Sequence, residues 1–549
     1  MITRSTSTRV QIITRAQVAS VLGILLIMAT SQEGLFLISC SANFQQSDWL
    51  TAWPNHGGGL LNQRYAYLET KISPKSVRQL QLKWTVQTGS DVTATPCVVD
   101  NVVYVPSWNG FVYAASASTG TVLWQTNLTK VAGSLHNIPT VVCRTTPTVA
   151  GNYLLIGIYT GGYVLALDRR TGAFVWSTQL DANPYAGVTM SGTVYGGAYF
   201  VGTTSTEETQ LVGCCNFQGA FFRIDVAKGK IIWRTGMIPS NGGNAGAYAG
   251  AAIWGSSPSI DPVRNLVYIA TGNLYSTPPS ITACQLGQQN LSVPDTPDPC
   301  ILPDDHSESV LALDLDTGSI HWAQHLGSYD TWVLACVFNG NPNCPPIPGP
   351  DADFAEAPML IPSVQFKNSS TGRQWRQDVL VVAQKSGFVY GLNPQDGSRL
   401  WTQVAGPGGS SGGAMWGSAT DGQVVFTNIV NSGNKVFTLL PSRQSTTGGG
   451  WVALDAGSGQ ILWSTPTPDL SGPVGPVTVA NGVLFTTSHS THGKYYALDS
   501  KSGTILWNFT PNGSVMGGFS VANGCAFVGE GNTLLGGATP GRAFYGFCL

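Results

Sequence analysis

VLALDRRTGAFVW, residues 164–176, is an apolar run ending in Asp168, a turn closed by Gly172, and a second apolar run reaching Trp176 four residues after the glycine. Two runs rich in Val, Leu, Ile, Tyr and Trp around four or five residues of Asp, Ser, Thr and Gly read as strand, turn, strand. The glycine supplies the positive φ of a tight turn, and the tryptophan begins to bury a ring of roughly 150–250 Å². One hairpin alone cannot bury that ring.

Six more copies follow the same grammar: VYAASASTGTVLW (112–124), FRIDVAKGKIIW (222–233), VLALDLDTGSIHW (310–322), VYGLNPQDGSRLW (389–401), WVALDAGSGQILW (451–463) and YYALDSKSGTILW (495–507). Repetition at this scale implies sheets stacked around an axis, each covering its neighbour's Trp and leaving only short edges exposed. An eighth Trp, Trp84 in LQLKWTVQTG, has no partner strand before it, and the last residues, RAFYGFCL (542–549), supply one. The sequence therefore predicts an all-β fold, an eight-bladed β-propeller with four-stranded antiparallel blades over residues 43–549, its ring closed by the N- and C-terminal strands. Tryptophan spacings of 40 to 89 residues place long insertions in several blades, and individuality belongs in those loops.

Sixty-six glycines, 16 tryptophans, 10% charged residues and a formal net charge of −2 in 549 residues describe a turn-rich all-β protein with no basic footprint for nucleic acid. The first 42 residues, with three arginines, an apolar stretch from Ala16 to Ala29 and small residues before Asn43, read as a secretory signal cleaved near Ala42. An uncleaved anchor, opposed by Gln32 and Glu33, and a lipoprotein-type site at Cys40 are the alternatives. The mature protein is expected to be secreted, extracellular, monomeric and free of the membrane. Sequons at Asn127, Asn290, Asn368, Asn508 and Asn512 fit glycosylation. Ten cysteines remain after the signal, an even number suited to disulfides. Cys284 with Cys300 and Cys336 with Cys344 are natural local pairs, Cys214 and Cys215 are adjacent, Cys525 with Cys548 would tie the closing strand, and Cys97 with Cys143 remains; sequence does not fix the connectivity. With no CxxCH anywhere, no covalent c-type haem is expected.

The segment WPNHGGGLLNQRYAYLETKISPKSVRQLQLKW, together with the repeats, resembles the quinoprotein alcohol dehydrogenases. EETQLVGCCNFQGAFFRID, TGNLY, DTW, NPNCP and QKSGFVYGLNP look most like the polyvinyl-alcohol-dehydrogenase-like branch, and the likeness runs from about Trp53 to Leu549. The resemblance implies a propeller that holds pyrroloquinoline quinone (PQQ) and Ca²⁺ at its axis, oxidises a small-molecule or polymeric alcohol, and passes electrons to a separate acceptor. By flanking motif it implies Glu207 (GTTSTEE) and Asn273 (ATGN) as calcium ligands, with Glu208 an adjacent alternative; both are oxygen donors of the kind a hard cation takes. It also implies Arg144 (CRTTP) and Lys385 (AQKSG) as cations for the quinone's carboxylates and carbonyls, and Trp254, offset by one residue, as the floor beneath the cofactor.

The chain departs from the family at four points. Val333 in DTWV stands where the family's catalytic Asp lies, leaving Asp330 upstream as the expected base; Thr93 replaces a cofactor-binding Glu, and Met415 an Asn. The Cys214–Cys215 pair sits on a different blade from the vicinal disulfide that caps the quinone in methanol dehydrogenases. His489 and His492 lack a third ligand for a metal site, and His56 and His136 read as surface or turn residues. Two functions compete on this evidence: a secreted PQQ-dependent dehydrogenase of a secondary or polyol-like alcohol, and a cofactor-free propeller used for binding or scaffolding. The first expects Glu207, Asn273, Arg144, Lys385 and Asp330 to meet at one end of the axis, and scattered positions would oppose it.

Overall fold

The computed structural model describes residues 52–136, 138, 141–291, 297–367, 371–533 and 538–549. The expected signal segment and the Asn368 sequon lie outside the described residues. Eight four-stranded antiparallel sheets form the ring. In the second blade, Thr148–Ala150 is innermost and is followed outward by Tyr153–Gly157, Tyr163–Asp168 and Phe174–Gln179. The last blade is closed as the sequence predicted. Gln81–Gln87 pairs antiparallel with Ala543–Cys548, from Gln81 opposite Cys548 to Gln87 opposite Ala543.

Docking of one blade on the next repeats the same contact. The indole N–H of Trp84, Trp124, Trp176, Trp233, Trp322, Trp401, Trp463 and Trp507 donates to a backbone carbonyl of the following blade, at 2.9 to 3.2 Å. The ring of each of the first seven lies over the next blade's turn glycine, so a Cβ on Gly318 would stand 2.6 Å from the Trp233 ring. Gly318 and Gly196 share the left-handed conformation (φ 72° and 57°), but a Cβ on Gly196 meets nothing within 4 Å. Gly196→Ala should therefore cost about 1 kcal/mol for its backbone, and Gly318→Ala a further 1–3 kcal/mol for overpacking. Equal melting temperatures in the two variants would contradict this docking role.

Four disulfides form: Cys214–Cys215, Cys284–Cys300, Cys336–Cys344 and Cys525–Cys548. The expected Cys97–Cys143 bridge does not. Both are buried free thiols within the apolar core between the first two blades, where each fills space as a small hydrophobe and burial pushes its ionisation up. Among the described residues no helix is long and apolar enough to cross a membrane.

Residues 53–69 form a strap that visits the blades in order. Trp53 bridges Val98, Pro54 accepts from Val149, and Asn55 donates to Thr193. Leu60, Leu61, Gln63 and Arg64 then accept from Ile260, Leu360, Thr420 and Val479, and the Glu69 carboxylate accepts from Gly524. Seven of these contacts fall on innermost strands, so the strap runs along the axial side of the ring.

Candidate functional site

With the strap along the axial side, chemistry falls to the loops that leave the second and fourth strands of each blade. Loops from outermost strands carry Arg144, Trp254, Asp330, Asp353, Trp416 and Met516; loops from second strands carry Trp108, Tyr159, Glu207, Glu208, Asn273 and Lys385. Both sets emerge on the same face.

At the centre lies a buried ionic cluster. Lys385 Nζ meets Asp351 Oδ1 at 2.7 Å and Asp353 Oδ2 at 3.1 Å, with all three side chains nearly inaccessible. Asp353 also accepts from the Trp254 indole (3.0 Å) and the Asn273 backbone N–H (2.6 Å). Glu208, Asp351 and Asp353 bring carboxylate oxygens within 4.8 Å of one another. The Asn273 amide nitrogen is anchored to the carbonyls of Leu274 and Trp332, which leaves its oxygen as the group available to a cation. Asp330 stands behind this cluster: its carboxylate accepts from the backbone N–H groups of Asp351 (3.2 Å) and Ala352 (2.6 Å) and so shapes the turn that presents Asp351 and Asp353.

Beside the cluster is a pocket of about 340 Å³, open mouth included, lined among others by His56, Thr93, Arg144, Trp416 and Met516. Arg144 lies over the Trp416 ring at 4.7 Å and the Tyr159 ring at 5.7 Å, and it also meets the Tyr159 hydroxyl and the Met516 sulfur. No carboxylate among the described residues pairs with it. The Trp416 ring meets the Trp254 ring edge-on at 4.9 Å, and Lys385 Nζ stands 5.3 Å from the Trp254 ring. An anion-seeking end and a cation-seeking end are thus joined by two indoles.

Two stapled loops stand beside Trp254. The loop 207–217 holds the Cys214–Cys215 disulfide and the loop 331–344 the Cys336–Cys344 disulfide. Asn343 ties them together, accepting from Cys214 N–H (3.1 Å) and donating to the Gln210 carbonyl (2.9 Å). Both disulfides pack with Tyr275, Val333 and Trp254 in one cluster, which brings the cysteine pair to the site although its blade differs from the methanol dehydrogenase arrangement.

Arg144, Trp254, Asn273, Asp330 and Lys385 therefore gather at one end of the axis. Glu207 does not join them through its carboxylate, which is taken up by the Asn183 amide and the backbone N–H groups of Asn216 and Phe217 and closes the disulfide loop. Its neighbour Glu208 faces the cluster instead. Thr93 lines the pocket and accepts from the Trp108 indole (3.0 Å); Met415 packs with Met516 and the Trp pair. His56, expected at the surface, is buried beneath the pocket, its Nε2 2.8 Å from the Trp416 carbonyl oxygen. Sequence reading missed Asp351, Asp353, Glu308 and Trp416. The visible signal was PDADF (350–354), two aspartates alternating just before a strand in a Pro- and Gly-rich run.

Without a cation this cluster penalises folding as pH rises. Burial, reinforced by Asp353, pushes the Glu208 carboxyl up; burial pushes Asp330 up to about 6 and Glu356, beneath the pocket, up to about 7. Their folded values exceed their unfolded ones, so the folded state binds more protons between the ordinary carboxylate range and those values. Stability must fall as pH rises through that window. The melting temperature of the metal-free protein should drop from about pH 5 to about pH 8. A flat or rising metal-free profile would contradict the cluster's charge state.

The sequence profile of the family described as outer membrane protein assembly factor BamB, a PQQ-type repeat propeller, matches residues 78–324 and 448–537, more than half of the chain. The chain belongs to the PQQ propeller family. Within that family it shares 28% identity over 430 residues with a polyvinylalcohol dehydrogenase of Pseudomonas sp, covering 76% of this chain and 59% of the relative. A second polyvinylalcohol dehydrogenase, from Sphingopyxis sp. (strain 113P3), is 28% identical over 418 residues, covering 73% of this chain and 56% of the relative. The PQQ propeller chain thus spans less than two thirds of the length of these relatives. They set it in the PQQ alcohol dehydrogenase superfamily, on its polyvinyl-alcohol-dehydrogenase-like side. A quinohemoprotein alcohol dehydrogenase of Pseudomonas putida superposes with a TM-score of 0.66 at 18% identity, covering 91% of this chain and 80% of that one, a likeness of fold.

Proposed function

We propose that this chain is a secreted PQQ-dependent dehydrogenase that oxidises an alcohol, secondary or polyol-like, and passes electrons to a separate acceptor. The observation that carries the reading is the adjacency of two sites: Arg144, with no carboxylate partner among the described residues, in the pocket lining, and the buried carboxylates Glu208, Asp351 and Asp353 beside that pocket, with Trp416 and Trp254 between them. A planar tricarboxylate quinone suits the first site and the indoles, and a hard divalent cation suits the second. When bound, PQQ supplies a two-electron hydride acceptor and Ca²⁺ a Lewis acid.

The chain's own residues do the rest. Glu208, Asp351 and the Asn273 side-chain oxygen would hold the cation. Arg144 and Lys385 would meet anionic and carbonyl oxygens of the quinone, and the disulfide-stapled loops beside Trp254 would exclude water. The proton of the alcohol goes to a carboxylate, and we assign that role to Asp353, which sits in the cluster with Lys385 and Trp254 as its hydrogen-bond donors. Asp330, the sequence candidate, is assigned the turn behind it. Four disulfides support an oxidising compartment.

Dye-linked oxidation of secondary alcohols by the full chain, with PQQ and Ca²⁺ supplied, tests this reading. Asp353→Asn should lower kcat by about 10²–10⁴-fold with PQQ still bound. Turnover that survives in Asp353→Asn but is lost in Asp330→Asn would return the base to Asp330. PQQ and Ca²⁺ that bind without turnover of any alcohol would refute the enzymatic reading, and the departures at Val333, Thr93 and Met415 would then mark a scaffold.

A further inference from the structure

One buried carboxyl beside the site has no part in the mechanism above. Glu308 is 1% exposed and holds a left-handed backbone conformation (φ 46°) that a non-glycine residue adopts at a cost. Hydrogen bonds from its N–H to the Gly272 carbonyl (3.1 Å) and from the Leu326 N–H to its carbonyl (2.9 Å) hold it there. Gly272 precedes Asn273, and a Cβ on it would run into the Asp353 carboxylate, so Glu308 is attached directly behind the cation-seeking end.

The donors offered to each carboxyl rank the group. Asp353 receives three donors, Asp330 two backbone N–H groups, and Asp351 the Lys385 ammonium. Glu308 receives only the Gln384 amide at Oε2 (2.9 Å), shared with the Leu326 carbonyl, and its Oε1 is fully buried with no partner. An ionised carboxylate left in that state would be costly, whereas a protonated one is tolerable. The charged and titratable groups that face it are Asp353, Asp330, Asp351, Lys385 and Tyr390, of which only Lys385 is cationic. Burial and the three aspartates all push its carboxyl well above the ordinary range.

We propose that Glu308 is the neutral member of the cation-bound carboxyl cluster, the carboxylic acid that keeps its proton when the cation is held, and that it thereby sets the charge presented to that cation. It is a positioning residue: it reaches the site through Gln384, next to Lys385, and through the field it withholds. The inference rests on the cation reading of Glu208, Asn273 and Asp351.

The test is infrared difference spectroscopy of the full chain at about pH 8, with and without Ca²⁺, paired with calorimetric Ca²⁺ titration. With Ca²⁺ bound, the wild-type protein should show the carbonyl stretch of a protonated carboxylic acid, shifted in D₂O, and Glu308→Gln should lack it. Glu308→Gln mimics the neutral acid, so its Ca²⁺ affinity should stay within about twofold of wild type, whereas Glu208→Gln should lose about tenfold or more. With Ca²⁺ bound, a band retained in Glu308→Gln or absent from the wild type, or a tenfold loss of Ca²⁺ affinity in Glu308→Gln, would overturn the proposal. If Glu308→Gln does not fold, the wild-type band with Ca²⁺ decides it. Neither readout uses PQQ or turnover, so a protein that binds Ca²⁺ but no PQQ would leave this inference standing while the dehydrogenase reading fell.

Discussion

Lys385→Met should destabilise the metal-free protein by about 3–5 kcal/mol, because it leaves two carboxylates buried without their ammonium. Lys385 is 6% exposed and its partners Asp351 and Asp353 are each 2% exposed, so water cannot take over the lost contacts. Those partners hold the lysine's proton above its ordinary range against the opposing effect of burial, while burial pushes the Asp351 carboxyl up. The loss should be largest above about pH 7, where the abandoned carboxyls are forced to ionise, and should shrink as acid protonates them. A second substitution, Asp351→Asn, should recover part of the stability by removing one of the stranded charges. Denaturant unfolding of the single and double variants, each with and without Ca²⁺, separates these contributions. A single variant within 1 kcal/mol of wild type, on the scale where a buried pair costs about 3–5, would show the cluster to be hydrated.

Arg64→Met should have a comparable effect at the opposite side of the pocket. Arg64 is fully buried in the axial strap, and its guanidinium donates to the carbonyls of Val477 (2.7 Å), His56 and Phe519 (3.2 Å) and the hydroxyl of Thr478 (2.8 Å). Burial lowers its hold on its proton to about 9, opposed by the nearby Glu356 carboxylate. Removing it strands several acceptors and Glu356 together, at a cost of about 3–5 kcal/mol. Because these bonds join the strap to the last two blades, the strap should also become sensitive to limited proteolysis between residues 53 and 69. Arg64→Lys should rescue little, since one ammonium cannot span the fork that serves these acceptors. A protected strap in Arg64→Met would show that its backbone contacts suffice.

The ring was legible because its signal is repeated: Gly and Trp at a fixed spacing encode a turn and the ring that covers the next one, and even the closing pair, Trp84 with RAFYGFCL, could be read from its missing strand. The site was legible where a short motif fixes a loop. CRTTP put Arg144 in the pocket lining, AQKSG put Lys385 in the buried ionic cluster, and ATGN put Asn273 beside Asp353. It was less legible where side-chain direction decides. Glu207 and Glu208 are adjacent, and only the fold shows that the first caps a disulfide loop while the second turns to the carboxylates. Asp351 and Asp353 lie in an irregular insertion far in sequence from their partners, and Asp330, which resembles a catalytic motif, turns out to support their turn. Cys97 and Cys143 were paired by elimination, a procedure blind to cysteine used as core packing.

The most direct test of the account is a calorimetric titration of PQQ into the purified full chain, first metal-free and then with saturating Ca²⁺. The pocket and the adjoining carboxylate cluster predict one equivalent of PQQ, bound more tightly with Ca²⁺ and weakened in Arg144→Ala. No binding at saturating PQQ and Ca²⁺ would contradict it and leave a propeller whose pocket serves another ligand.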